Sequence, residues 1–114
     1  MKALIIKKPW IDLILDGKKI WEIRGSNTKI RGEIEIIQSG SGLVVGKCEI
    51  RDCIKLSLNE YKDNLDKHCI KKITELPYNK TYAWVITNCK RYEIPRPYKH
   101  PRGAIIWVNL GNNT

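Results

Sequence analysis

Gly17-Lys18-Lys19-Ile20-Trp21-Glu22-Ile23-Arg24-Gly25 sets a Trp and both charge signs between two glycines, where an apolar helical pattern gives way to strand alternation. Upstream, Pro9 suits the first helical position, and Trp10, Ile11, Leu13, Ile14 and Leu15 form a wide apolar stripe with Asp12 and Asp16 on the other side. Gly17 then stops the helix, because glycine at the C′ position takes positive φ without steric cost. Ile20 to Arg24 reads as a strand, so Glu22 and Arg24, two apart, project from one face. Lys19 falls in the turn just before them. If that face lines a cleft, an ammonium, a carboxylate and a guanidinium converge on one wall. If it faces solvent, Glu22 and Arg24 form an ordinary ion pair worth little.

Outward from this handover, Ala3 to Ile6 is a short apolar run that suits a buried first strand. Gly32 opens another, Glu33 to Ile37, whose alternation gives it one wet and one buried face. Ser39-Gly40-Ser41-Gly42 is a flexible turn, and Leu43 to Ile54 a long strand with Gly46 as a bulge or a point of close approach. Ser57-Leu58-Asn59-Glu60 is a capping box that opens a helix carrying Leu58, Tyr61 and Leu65. Lys71 to Lys80 is irregular or a short helix followed by loop. Tyr82 to Asn88 and Ala104 to Leu110 read as the last strands. The pattern of about six strands with two to three helices predicts an α+β fold, a small mixed β-barrel with the helices packed at its side. Residues 1–110 form one domain, and 111–114 a polar C-terminal tail.

The 114 residues, 42% hydrophobic and 29% charged, match a globular domain with one core rather than a disordered chain. No apolar run approaches the ~20 residues needed to span a bilayer. The start of the chain is too short for a signal peptide, so a cytoplasmic protein is expected. Cys48, Cys53, Cys69 and Cys89 lack metal-ligand spacing and are expected as reduced, mostly buried thiols. No metal and no cofactor is expected. Lys and Arg total 21 against 12 Asp and Glu, a net charge of +9. From residue 71 onward eight basic residues stand against two acids. Such an excess favours polyanionic partners by field alone, unless it merely solvates the surface.

Pro95-Arg96-Pro97-Tyr98-Lys99-His100-Pro101-Arg102 is a proline-stiffened segment that can present Arg96, Tyr98, Lys99 and Arg102 as a fixed grip on phosphate and base. The plainer alternative is a rigid connection that happens to be basic. Of the four tryptophans, Trp107 on an alternating strand is expected as a core filler. Trp10, beside Lys7 and Lys8, and Trp84, sharing a strand face with Tyr82, are the candidates for stacking a base. A buried Lys19 has its pKa lowered and can act as a base or electrophile, with Glu22 as its partner. No Ser-His-Asp order, HExxH, GxGxxG or Walker motif is present.

Gly17-Lys18-Lys19-Ile20-Trp21-Glu22-Ile23-Arg24 resembles the G-x-K-x-x-E-x-R signature of the ASCH domain family, and Lys8-Pro9-Trp10 resembles the entry to that family's first helix. Tyr82-Ala83-Trp84-Val85-Ile86 and the closing Pro95-Arg96-Pro97 with Gly103-Ala104-Ile105-Ile106-Trp107 resemble its last third. The resemblance implies a PUA-like barrel with a cationic cleft and a role with RNA or single-stranded nucleic acid. It would place Lys19, Glu22 and Arg24 in the cleft, with Trp10 and Lys8 at its rim. One branch of the family removes the acetyl group of 4-acetylcytidine, using a Lys, a Thr three residues later and a distant Glu. Lys19 matches that Lys, whereas Glu22 stands where the Thr would be. A nucleic-acid-binding domain is therefore the first expectation. A small hydrolase acting on a modified nucleoside or RNA is the alternative.

Overall fold

The computed structural model describes residues 1–112, so part of the expected 111–114 tail lies outside the described residues. Gly111 and Asn112 complete a 3-10 turn begun at Leu110. Chain order is β1 (Lys2–Ile6), α1 (Trp10–Leu15), β2 (Trp21–Arg24), β3 (Gly32–Gln38), β4 (Leu43–Leu56), α2 (Leu58–Asp63), α3 (Leu65–His68), β5 (Thr81–Pro97) and β6 (Trp107–Asn109). The fold is α+β, a six-stranded mixed sheet in the order β2-β5-β4-β3-β1-β6. All neighbours are antiparallel except β1 and β3.

Two local rules act as expected. α1 ends in a Schellman motif: Gly17, at φ +78°, donates to the Ile14 carbonyl, and Lys18 donates to that of Leu13. At α2 the Ser57 hydroxyl accepts from the Glu60 amide at 3.1 Å, and the Glu60 carboxylate accepts from the Ser57 amide at 2.9 Å. Pro9 caps α1 rather than starting it.

The sheet departs from a closed barrel. β2 and β6 are its edges, and no ladder joins them among the described residues. These strands are short, four and three residues. Side chains bridge the gap instead. Arg24 on β2 donates to the Ile5 carbonyl on β1 at 2.9 Å, and Trp84 on β5 stacks on Trp107 of β6 at 5.8 Å. Strand β5 is also longer than its sequence suggested. Asn88 adopts φ +53°, a bulge conformation that Asn tolerates, and the strand continues beyond it to Pro97. Arg96 consequently lies on a strand. The connection that follows runs over residues 98–106, which leaves only Trp107–Asn109 as the last strand.

The main core joins Ile11 and Ile14 of α1 to Leu4, Ile34, Ile50, Trp84 and Ile86 of the sheet. A second cluster, Trp21, Ile23, Leu56, Tyr61 and Ala83, seats α2 and its flanking loop against β2 and β5. Gly46 is where α1 reaches the sheet. A Cβ there would lie 2.5 Å from the Lys90 carbonyl oxygen and 2.7 Å from Leu15 Cδ2. The carbonyl belongs to a paired strand and cannot retreat, so Gly46→Ala is expected to destabilise by about 1–3 kcal/mol. Urea unfolding measures this; an unchanged midpoint would show that α1 is not packed so closely.

Candidate functional site

The gap between β2 and the β1–β6 edge is a cavity of about 740 Å³, a size typical of small-ligand sites. Its floor is the Lys19–Glu22–Arg24 array. The Schellman turn delivers Lys19: its amide donates to the Leu13 carbonyl, and the next amide, Ile20, donates to Lys67. The Lys19 side chain is 1% exposed, and its ammonium donates to the His68 carbonyl. That ammonium also lies 4.0 Å from Glu22 Oε1 and 4.9 Å from the centre of a Trp10 ring.

Glu22 and Arg24 do share a strand face. Glu22 Oε2 accepts from Arg24 Nε at 3.0 Å and Nη2 at 2.8 Å, while the guanidinium sits 5.5 Å from a Trp84 ring. Glu22 is thus a carboxylate between two cations, with Oε1 turned to the ammonium and Oε2 to the guanidinium. Burial lowers the Lys19 pKa from its usual 10.5 to about 8, against the opposing pull of Glu22. The floor can donate from an ammonium and a guanidinium, accept at Oε1, and exchange a proton near neutral pH.

His68, which no sequence signal marked, orients this array from below. It is fully buried and stacked on Tyr61 at 4.3 Å. Its Nδ1 accepts from the Ile70 amide at 2.9 Å, so Nε2 carries the hydrogen and donates to the Tyr61 carbonyl at 2.7 Å. Burial lowers its pKa, so the ring is neutral. Both ring nitrogens are occupied, which fixes the backbone whose carbonyl holds Lys19. His68→Phe keeps the stacking surface, strands the Ile70 amide and leaves the Tyr61 carbonyl only its long bond from the Asn64 amide. It is expected to cost about 1–3 kcal/mol and to speed reductive methylation of Lys19, read by urea unfolding and mass spectrometry. Unaltered methylation would mean that the carbonyl is held by other means.

Of the residues singled out from sequence, Trp10, Lys19, Glu22, Arg24 and Tyr98 line the cavity. The structure leaves Lys8, Tyr82, Lys99 and Arg102 outside its lining. Trp84 is 1% exposed, stacked on Trp107, with Nε1 donating to the Ser26 carbonyl; it is core, and is not free to stack a base. Arg96 is drawn away from the cleft by Glu35, whose oxygens lie 2.8 and 3.0 Å from Nη2 and which also accepts from Tyr92.

Tyr78, which no sequence signal marked, and His100 of the proline-stiffened segment also line the cavity. Gly25 admits Tyr78: a Cβ at Gly25 would stand 2.9 Å from the Tyr78 ring, so the glycine that closes the quoted stretch is needed for this wall. His100 pins the 98–106 loop, its Nδ1 2.7 Å from the Tyr98 hydroxyl and its Nε2 2.9 Å from the Ala104 carbonyl.

No curated relative matches the sequence. Among solved structures, the fold is similar to that of the ASCH protein from Zymomonas mobilis, at 14% identity, TM-score 0.65, covering 79% of this chain and 68% of that one. Two point variants of the protein from that organism also align. One, with a tyrosine changed to phenylalanine, gives 14% identity and TM-score 0.70 over 84% of this chain and 74% of that one. The other, with a serine changed to alanine, gives 13% and 0.73 over 99% and 96%. These likenesses are of fold. The ASCH domain family profile matches residues 4–96, most of the sequence, and with the Gly17–Arg24 signature forming the cleft floor, the chain belongs to the ASCH domain family.

Proposed function

We propose that this domain binds single-stranded nucleic acid, RNA foremost, and draws one unpaired base into the cleft. The observation that carries this reading is the Lys19–Glu22–Arg24 floor, a buried set of donors and one acceptor beneath an open cavity. Trp10 and Tyr98 supply aromatic surface beside it. A base offers a π-face for the rings and a polar edge for the floor. The net charge of +9 attracts the backbone without reading sequence. Affinity for a single-stranded RNA oligonucleotide is expected to fall about tenfold or more between 50 and 200 mM salt, and to exceed affinity for the matching duplex. Fluorescence anisotropy measures both; no binding at low salt would refute the proposal.

A second reading, hydrolysis of a modified nucleoside or RNA, is favoured by one observation. Lys19, with its pKa lowered to about 8 and a carboxylate 4.0 Å away, is suited to general-base or carbonyl-polarising work. Glu22 in place of a hydroxyl leaves this reading second. Release of acetate from 4-acetylcytidine, abolished by Lys19→Ala and retained by Lys62→Ala, would promote it.

A further inference from the structure

The cavity does not end at the charged floor. It runs along β1 to the β3–β4 turn, where Lys7, Ser39, Gly40 and Gly42 line it. β1 and β3 are parallel, with Ile6 opposite Gln38, and the Ser39 amide donates to the Ile6 carbonyl; Lys7 therefore emerges beside Ser39. Arg24 bonds the Ile5 carbonyl, so Lys7 lies two residues, about 7 Å, further along the strand than the floor. That step is of the order of a sugar.

The chemistry of this end differs from that of the floor. Glu22 is the sole carboxylate among the lining residues, and it lies at the other end with Arg24. Among the described residues the Lys7 ammonium has no acidic partner, the Ser39 hydroxyl no hydrogen-bond partner, and the Gly40 and Gly42 amides no acceptor. Gly40 and Gly42 hold φ +79° and +71°, a Cβ built on either meets nothing within 4 Å, and both residues line the cavity. An ammonium, a hydroxyl and backbone amides of left-handed turn residues, with no acceptor facing them, form the donor set that holds a phosphate.

We propose that Lys7, Ser39 and the Gly40–Gly42 amides form a phosphate subsite, so that the cleft takes a nucleotide, base on the floor and ribose-borne phosphate at the turn. The base placement rests on the proposed function; the phosphate placement rests on the turn itself. A 5′- and a 3′-phosphate present the same chemistry to this donor set, and the probes separate the two.

The test is an amide NMR titration of the 15N-labelled chain with the four ribonucleosides, their 5′- and 3′-monophosphates, and ribose 5-phosphate, at fixed salt. At least one monophosphate is expected to bind about tenfold or more tighter than its nucleoside and to shift Gly40 and Gly42. Lys7→Gln is expected to abolish that ratio, whereas Lys62→Gln, on exposed α2, preserves it. Equal binding of nucleosides and monophosphates overturns the subsite, as does a ratio that survives Lys7→Gln or a phosphate shift confined to other residues. If ribose 5-phosphate shifts Gly40 and Gly42 while no nucleoside perturbs Trp10 or Lys19, the subsite stands and the base-pocket reading falls.

Discussion

Glu22→Gln is expected to destabilise the fold by about 3–5 kcal/mol, the usual cost of removing one partner from a buried charge cluster. Glu22 is 5% exposed and carries the only negative charge between Lys19 and Arg24 among the groups that contact them. With a neutral amide in its place, ammonium and guanidinium repel across a site that water reaches poorly. Glutamine can still accept one bond from Arg24, but it cannot balance two cations. The same substitution should push the Lys19 pKa below about 8, since the Glu22 charge is the largest influence opposing burial. Urea unfolding and the pH titration of the Lys19 Cε resonance test the two halves separately. A loss under about 1 kcal/mol with an unmoved titration would mean that solvent in the cleft already screens the cluster.

Stability should depend on pH through Lys19 in a direction opposite to that of a lysine in a favourable ion pair. Its pKa is about 8 folded and 10.5 unfolded, so between these values the unfolded chain binds more protons and stability rises with pH. Below about pH 8 the cost of burying the ammonium is fully present; it is relieved as pH climbs towards 10.5. The separation of the two values corresponds to about 3 kcal/mol. Lys19→Met removes the titration while keeping much of the side-chain volume. The unfolding free energy of the wild type minus that of Lys19→Met is expected to increase from pH 8 to 10.5 by up to this amount. Taking the difference cancels the tyrosines and cysteines that titrate in the same range. A flat difference would place Lys19 in contact with solvent.

The parts of the fold legible in sequence are those with local causes. The C′ glycine after α1 and the Ser57–Glu60 capping box are each dictated by sterics and hydrogen bonds within a few residues, and each stands where the pattern put it; Gly46 is a point of close approach, but to Lys90 and Leu15, which lie far away in the chain. The alternation that set Glu22 and Arg24 on one face is likewise local. Trp84 and Tyr82 show where such reasoning stops. An alternating aromatic pair reads equally as a stacking platform or as core. The side chain opposite decides, and for Trp84 it is Trp107, on the last strand. Arg96 is similar: its cationic head was evident, but Glu35, 61 positions earlier, claims it.

What the sequence determined by itself was the helix-to-strand handover and its three charged groups, because capping, positive φ and strand alternation operate over neighbouring residues. Only the tertiary structure decided that these groups floor an open cleft. That depends on a sheet whose edges do not meet, on a carbonyl at His68, 49 positions from Lys19, and on a turn at Gly40 brought alongside β1. Burial and long-range pairing follow from how the whole sheet curls, and no short stretch of chain encodes that.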